Sequence, residues 1–379
     1  MKGFRKRLTS YGFYLKLSES NKGLDSICTS KYRYMRSDMK AAVLTAPGKI
    51  KIQELETPSI NRNEVLVKLK YCGICTLEQR LYTGAMKIGY PVIPGHEASG
   101  QVVEVGKDVI SDVKPGFHVA LDLVVRCGEC YFCRTGRSNM CLNRFNKGQQ
   151  GLGGFGEYIA VNSSQVFALP DEVPLQEAAF CEPVACCIRS LKKINLTIAE
   201  DLLVIGAGPM GQMQLQAALC MGARVFVSDP VDERLKMAKK HGAFLTIDPT
   251  KNNLPEIIGR YTDGRGADAC IITSPAHDAL KDAIKSISQT GRINIYTSYN
   301  DQPPLPIDAN TLHRNEQLIT GSEGRTQRDF QQALRLLSFG KVDVRPLISS
   351  YTTFETLEDG IKAAMGKETY RILLDHEAT

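Results

Sequence analysis

Six residues constrain this chain more than any others. Gly206-Ala207-Gly208-Pro209-Met210-Gly211 stands between a short apolar run, DLLVIG, and a stretch of helical character, GPMGQMQLQAALCMG. Three glycines at this spacing serve separate needs: a tight turn, close approach of a pyrophosphate, and close packing of helix on strand. The helix N-terminus then faces the phosphates. Asp229 closes the next β-like run, ARVFVSD, where an acidic side chain would accept hydrogen bonds from an adenosine ribose diol and repel a 2′-phosphate. The turn therefore predicts a nicotinamide dinucleotide site, with NAD favoured over NADP. Strand and helix continue to alternate through VDERLKMAKKHG, GADACIITS, HDALKDAIKSISQTG and RINIYT, the rhythm of a doubly wound parallel sheet.

The chain before this unit reads differently. KAAVLTA, KIKIQEL, EVLVKLKYCG and QVVEVG are short β-like segments broken by turn residues, and no long helical pattern interrupts them. A β-rich domain followed by an α/β domain suits 379 residues. With 43% hydrophobic and 23% charged residues the chain is too apolar for a disordered one. No run approaches the ~18 apolar residues of a membrane span. The formal charge of +6 belongs entirely to residues 1–38, which hold nine basic and three acidic residues. The remainder carries 38 of each sign, which argues against a nucleic-acid binder. Residues 1–38 lack the apolar core of a secretory signal and are read as a tail or over-extended start ahead of Met39.

Cys127, Cys130, Cys133 and Cys141 occur as CGECYFCRTGRSNMC. One short loop can wrap such a set around a tetrahedral ion, and zinc is the redox-inert choice for four thiolates. Iron–sulfur chemistry is the metal alternative, and disulfides would require an oxidising compartment. A second constellation is dispersed: Cys75 in YCGIC, His96 and Glu97 in PGHE, Glu182 in CEP. One thiolate, one imidazole and a carboxylate would hold a zinc with a position left open.

Taken together, these strings resemble the zinc-dependent medium-chain alcohol/polyol dehydrogenases, in the manner of the sorbitol dehydrogenase branch. YCGIC, PGHEASGQVVEVG, the four-cysteine loop, GGFGEY, the CEP turn, GAGPMG with Asp229, and GADACIITS carry the resemblance from Met39 to about Asp375. It implies a GroES-like catalytic domain from residues 39–188 and 322–379 around a Rossmann domain at 189–321. It implies two zinc ions, one structural and one catalytic, the latter on Cys75 and His96 with Glu97 and Glu182 competing as ligands or reaching it through water. The cofactor would meet Gly206, Gly208, Pro209, Met210, Gly211, Asp229, Thr273 and Arg371. Arg234 is a further cofactor-side candidate, although its place in a helical pattern reads as surface charge.

The activity implied is NAD-linked oxidation of a secondary alcohol, with a polyol, sugar alcohol or cyclitol as substrate. The rival expectations are a zinc enzyme acting on an amino-alcohol or simple aldehyde, and a catalytically silent NAD-binding protein. Departures from the family pattern prompt that last reading. Leu77 stands where a Ser or Thr hydroxyl usually passes on the alcohol proton, and Arg80 where a relay histidine is common. Thr76, Glu97 or Glu182 through water, or a substrate hydroxyl would then carry the proton, and Glu78 with Arg80 would form a supporting ion pair. A cytoplasmic homotetramer or homodimer completes the expectation.

Overall fold

The computed structural model describes residues 38–86, 88–144, 151–299, 301, 304 and 307–378. The tail expected over 1–38 therefore lies outside the described residues, except for Asp38. Among the described residues fifteen strands form three sheets. β1 (Asp38–Ala46) and β2 (Lys49–Glu56) make an antiparallel hairpin. β3 (Glu64–Gly73), β4 (Glu97–Val105), β5 (His118–Asp122), β6 (Tyr158–Asn162) and β7 (Val166–Ala168) belong to the second sheet. β14 (Ile348–Thr352) and β15 (Arg371–Asp375) complete it. Its order is β14-β15-β3-β4-β5-β7, with β6 also paired to β3. The last strands of the chain thus return to the first part, because β15 lies antiparallel to β3 in the register Leu373↔Gly73.

The third sheet is wholly parallel: β8 (Asp201–Ile205), β9 (Arg224–Ser228), β10 (Leu245–Ile247), β11 (Ala267–Ile272), β12 (Ile287–Ile295) and β13 (Leu318–Gly321). The order β10-β9-β8-β11-β12-β13 reverses direction between β8 and β11. A ligand crevice forms at such a reversal, beyond the carboxyl ends of the strands. Every residue of β8 is buried, as the apolar string DLLVI demands of a strand covered on both faces. Among the described residues no helix is long and apolar enough to cross a membrane.

The chain crosses between the two large sheets twice. The first crossing is the helix Cys181–Lys193, and the second is the segment between β13 and the helix Gln327–Ser338. By its pattern alone the sequence from about Glu177 to Lys193 suits one helix; the structure has two, Leu175–Ala178 and Cys181–Lys193. Pro183 explains the break: it has no N–H to donate, and its ring excludes the carbonyl four residues earlier. Proline is tolerated in a first turn, so the long helix starts at Cys181 and places Glu182 at its N-terminal end. Asn294 of β12 ties the crossings together, donating to Ser190 Oγ at 2.7 Å and Ser322 Oγ at 2.9 Å.

Gly211 is where helix and sheet approach most closely. A Cβ there would lie 1.8 Å from the Gly206 carbonyl oxygen. Gly211→Ala must push the helix Pro209–Leu219 away from β8, and overpacking of this kind costs about 1–3 kcal/mol. Urea denaturation is expected to show that loss as a lowered midpoint; an unchanged midpoint would mean the turn is looser than described.

Candidate active site

Antiparallel pairing of β3 with β4 builds the metal cluster. The register Gly73↔Glu97 brings the end of one strand beside the start of the other. Cys75 follows β3 as the N-cap of the helix Thr76–Thr83, while His96 immediately precedes β4 and Glu97 opens it. One ligand atom from each of Cys75, His96 and Glu97 lies within 4.8 Å of the others. Three donors of this kind fit a zinc ion with a coordination position left open.

Glu78 orients this cluster. It is buried, and its Oε1 lies 2.8 Å from His96 Nδ1 while its Oε2 accepts from the Cys75 backbone N–H at 2.9 Å. Glu78 thereby fixes both ligating residues, and a neutral His96 that donates from Nδ1 keeps its Nε2 lone pair for a metal. Among the described residues no ion pair joins Glu78 to Arg80. The expected supporting pair is absent because the helical turn directs Glu78 inward to His96. Thr76 is exposed at the start of the helix, and Leu77 packs into the apolar core of the β-rich sheet.

Glu182 approaches the cluster from the crossing helix without joining its mutual contacts: its Oε2 is 3.9 Å from His96 Nε2. Its Oε1 accepts from Arg325 Nη1, and Arg325 Nη2 lies 2.9 Å from Asp122 Oδ1. Burial pushes the Glu182 carboxyl up, but Arg325 and His96 outweigh it and hold the group below its ordinary value. For Glu97 burial prevails, so its carboxyl stays above the ordinary value although Arg371 Nη2 stands 3.1 Å away. Burial opposes a charged His96, yet Glu78, Cys75 and Glu182 raise its basicity well above normal. These anionic neighbours favour a cation at the ring, which a metal supplies in place of a proton.

The cofactor candidates gather at the reversal of the parallel sheet. Gly208 precedes the helix Pro209–Leu219, and a Cβ on it would meet only Arg234 Nη1, at 3.7 Å. The protein leaves that space open on the side where a pyrophosphate would approach, so the turn fits a dinucleotide. Thr273 Oγ1 donates to the Gly206 carbonyl at 2.8 Å and so braces the turn. Asp229 is buried, with Oδ2 accepting from Ala207 N at 2.7 Å and Oδ1 from Val231 N at 2.8 Å. Arg234 Nη1 stands 3.9 Å from Asp229 Oδ2, which places it beside the ribose candidate and not on open surface. Arg371 links the two halves: Nη1 donates to the Ile74 carbonyl at 3.0 Å, and Nη2 reaches Met210 Sδ at 3.8 Å as well as Glu97.

Sequence reasoning missed Arg325, Asp122 and Tyr296. Tyr296 follows β12, where burial first, and then Cys186, Cys187, Glu182 and Cys75, push its phenol pKa well above the ordinary value and keep it protonated. Its position next to the end of a parallel strand was the available signal.

The four-cysteine loop is a separate closed cluster. The sulfurs of Cys127, Cys130, Cys133 and Cys141 all lie within 4.8 Å of one another. Backbone N–H groups point at them, from Cys130 to Cys127 Sγ at 3.3 Å and from Asn143 to Cys141 Sγ at 3.4 Å. Backbone hydrogen bonds from Cys130 and Glu129 lower Cys127 to about 6, while burial and its neighbours raise Cys133 to about 12. Four thiolates cannot share this space without a cation among them, so the set fits a structural zinc.

Comparison with known proteins agrees with this geometry. A family model described as the alcohol dehydrogenase GroES-like domain matches residues 61–171, and one described as zinc-binding dehydrogenase matches residues 209–338. The chain is 30% identical to a sorbitol dehydrogenase of Halalkalibacterium halodurans, covering 89% of this chain and 99% of that protein. It is also 30% identical to an L-threonine 3-dehydrogenase of Pyrococcus horikoshii, with the same coverage of 89% and 99%. Among solved structures, a zinc-binding dehydrogenase of Sinorhizobium meliloti bound to NADP superposes with a TM-score of 0.83 at 26% identity. That match covers 90% of this chain and all of that one.

Metal analysis of the purified protein is expected to give about two zinc ions per chain. Cys130→Ser should lower thermal stability chiefly, and His96→Ala should remove one zinc and with it the activity. Glu78→Gln, which weakens the His96 contact, should loosen that same zinc about tenfold or more. One zinc or fewer in a fully loaded sample would contradict the two-site description.

Proposed function

The chain belongs to the GroES-like, zinc-binding alcohol dehydrogenase family, and from that premise we propose that it oxidises a secondary alcohol of the polyol, sugar alcohol or cyclitol class with NAD. The family makes it an NAD- and zinc-linked oxidoreductase acting on an alcohol-type substrate. The sorbitol-like branch and the substrate class are our reading. The observation that carries it is the open Cys75–His96–Glu97 cluster, joined through Arg371 to the dinucleotide turn at Met210. Residues 39–188 with 322–379 serve in this reading as the catalytic unit and 189–321 as the cofactor unit.

Cys75, His96 and Glu97 would hold a zinc ion, which supplies a Lewis acid that favours loss of the substrate's hydroxyl proton. NAD, held at Gly206–Gly211 and Asp229, supplies the hydride acceptor. The chain's own residues must then orient the alcohol and take up its proton. Glu182 is suited to that task, since Arg325 keeps it ionised and only one of its oxygens is taken by the guanidinium. The other oxygen can order a water or accept from a substrate hydroxyl. Leu77 offers no exchangeable proton, and Thr76 lies exposed at the helix start. A vicinal hydroxyl on the substrate fits a site in which Glu182 supplies an acceptor beside the cluster.

Asp229 supports NAD, although a similar protein binds NADP. Its carboxylate is fixed by two backbone donors, so it cannot swing away from a 2′-phosphate. Losing a charged hydrogen bond to the ribose costs about 2 kcal/mol, roughly thirtyfold in affinity. Asp229→Ala should therefore weaken NAD by about that factor and narrow the gap to NADP. Equal catalytic efficiency with both cofactors in the unmodified protein would refute the assignment. In the proton step, Glu182→Gln should depress hydride transfer and alter the pH profile of turnover, whereas Thr76→Val should leave most of the rate. A large loss in Thr76→Val, with zinc content and NAD affinity retained, would move the role to Thr76.

A further inference from the structure

Arg325 is the only described guanidinium that holds Glu182, and it is itself held from the far side. Asp122 ends β5, with its side chain fully buried. One of its oxygens is 2.9 Å from Arg325 Nη2, and the other accepts from Arg126 Nη1 at 2.7 Å. Arg126 Nη2 donates to the backbone carbonyl of Arg325 at 2.8 Å, closing a ring of three charged residues. Their side chains are 0%, 7% and 4% exposed for Asp122, Arg126 and Arg325, so bulk water has little access to these contacts. Arg126 immediately precedes Cys127, the first residue of the four-cysteine loop. The loop makes a second tie to the same segment, where Asn139 Nδ2 donates to the Glu323 carbonyl at 2.8 Å.

The four-cysteine loop therefore grips the second crossing of the chain at Glu323 and Arg325, and Arg325 grips Glu182 on the first crossing. We propose that Asp122 and Arg126 are positioning residues through which the four-cysteine loop sets the place of Glu182 at the metal cluster. A planar guanidinium that faces a different carboxylate with each terminal nitrogen is held in one orientation by the two ion pairs. Arg325 can hold Glu182 in place only if Asp122 anchors its other nitrogen, and Asp122 is aimed by Arg126. Neutralising Asp122 leaves Arg325 buried with a single carboxylate, and the guanidinium is then free to follow Glu182 instead of fixing it.

This inference rests on the reading that Cys75, His96 and Glu97 hold a metal with Glu182 beside it. The test uses full-length protein with zinc in the four-cysteine loop and cobalt(II) at the other cluster. Cobalt reports its ligand field through visible absorption bands, and its release to a chelator can be timed. Asp122→Asn and Arg126→Gln are each expected to shift those bands and to speed cobalt release about tenfold. Glu182→Gln should speed release as well, and Asp122→Asn placed on top of it should add less than about twofold, because both changes break one arm. Should Asp122→Asn fail to fold, Arg126→Gln carries the same comparison. Wild-type bands and release in a variant whose melting temperature has dropped would reduce the ring to a structural staple. Full multiplicative effects of Asp122→Asn and Glu182→Gln would overturn the arm equally. A failure of the unmodified protein to bind cobalt at Cys75, His96 and Glu97 would instead defeat the reading beneath it.

Discussion

Burial of charge at the seam between the two large sheets governs this structure. Glu78, Glu97, Asp122 and Glu182 are removed from water there, and Arg126, Arg325 and Arg371 lie among them. An isolated buried charge costs several kcal/mol, and removing one member of a buried pair costs about 3–5 kcal/mol. Each group must therefore find a partner of opposite sign, and Arg325 and Arg371 come from the returning C-terminal part of the chain to meet Glu182, Asp122 and Glu97. Four carboxylates meet three guanidiniums, and the Cys75 sulfur adds a further potential negative charge. A divalent cation among Cys75, His96 and Glu97 offsets that excess, so zinc is part of the electrostatics of the seam as well as of the chemistry.

The same pairing explains why two sheets of different construction meet at one place. The helix Cys181–Lys193 delivers Glu182, and the returning segment delivers Arg325, so the ion pair forms where the two crossings pass. Arg371 repeats the arrangement from β15, touching Glu97 on one side and Met210 of the dinucleotide turn on the other. The alcohol and the nicotinamide must approach each other at this seam, because the metal cluster lies on one face of it and the reversal of the parallel sheet on the other. Proximity of this kind is the main thing a protein contributes to hydride transfer between two bound molecules.

Much of this was legible in the sequence wherever the information is local. GAGPMG, the four-cysteine loop and PGHE are short strings whose spacing encodes their own geometry, and the structure brings each together as a unit. Glu78 was misread although it lies only three residues from Cys75. Its partner depends on the β3–β4 register, which sets His96 beside the helix start, and spacing within one segment cannot show that. Arg325 and Glu182 are 143 positions apart, and no periodicity links them. The break before Cys181 was missed as well, although Pro183 offered a local signal for it. Long-range charge pairs are set by topology, and only the folded chain reveals them.

The central claim is that this seam carries hydride from an alcohol carbon to NAD. A polyol or cyclitol deuterated at its carbinol carbons, incubated with the zinc-loaded protein and NAD, tests it directly. The account predicts deuterium at C4 of the reduced nicotinamide by NMR, and none when His96→Ala replaces the unmodified protein. Protein that binds both zinc and NAD, yet transfers no label from any polyol, cyclitol, amino-alcohol or simple alcohol, would contradict it.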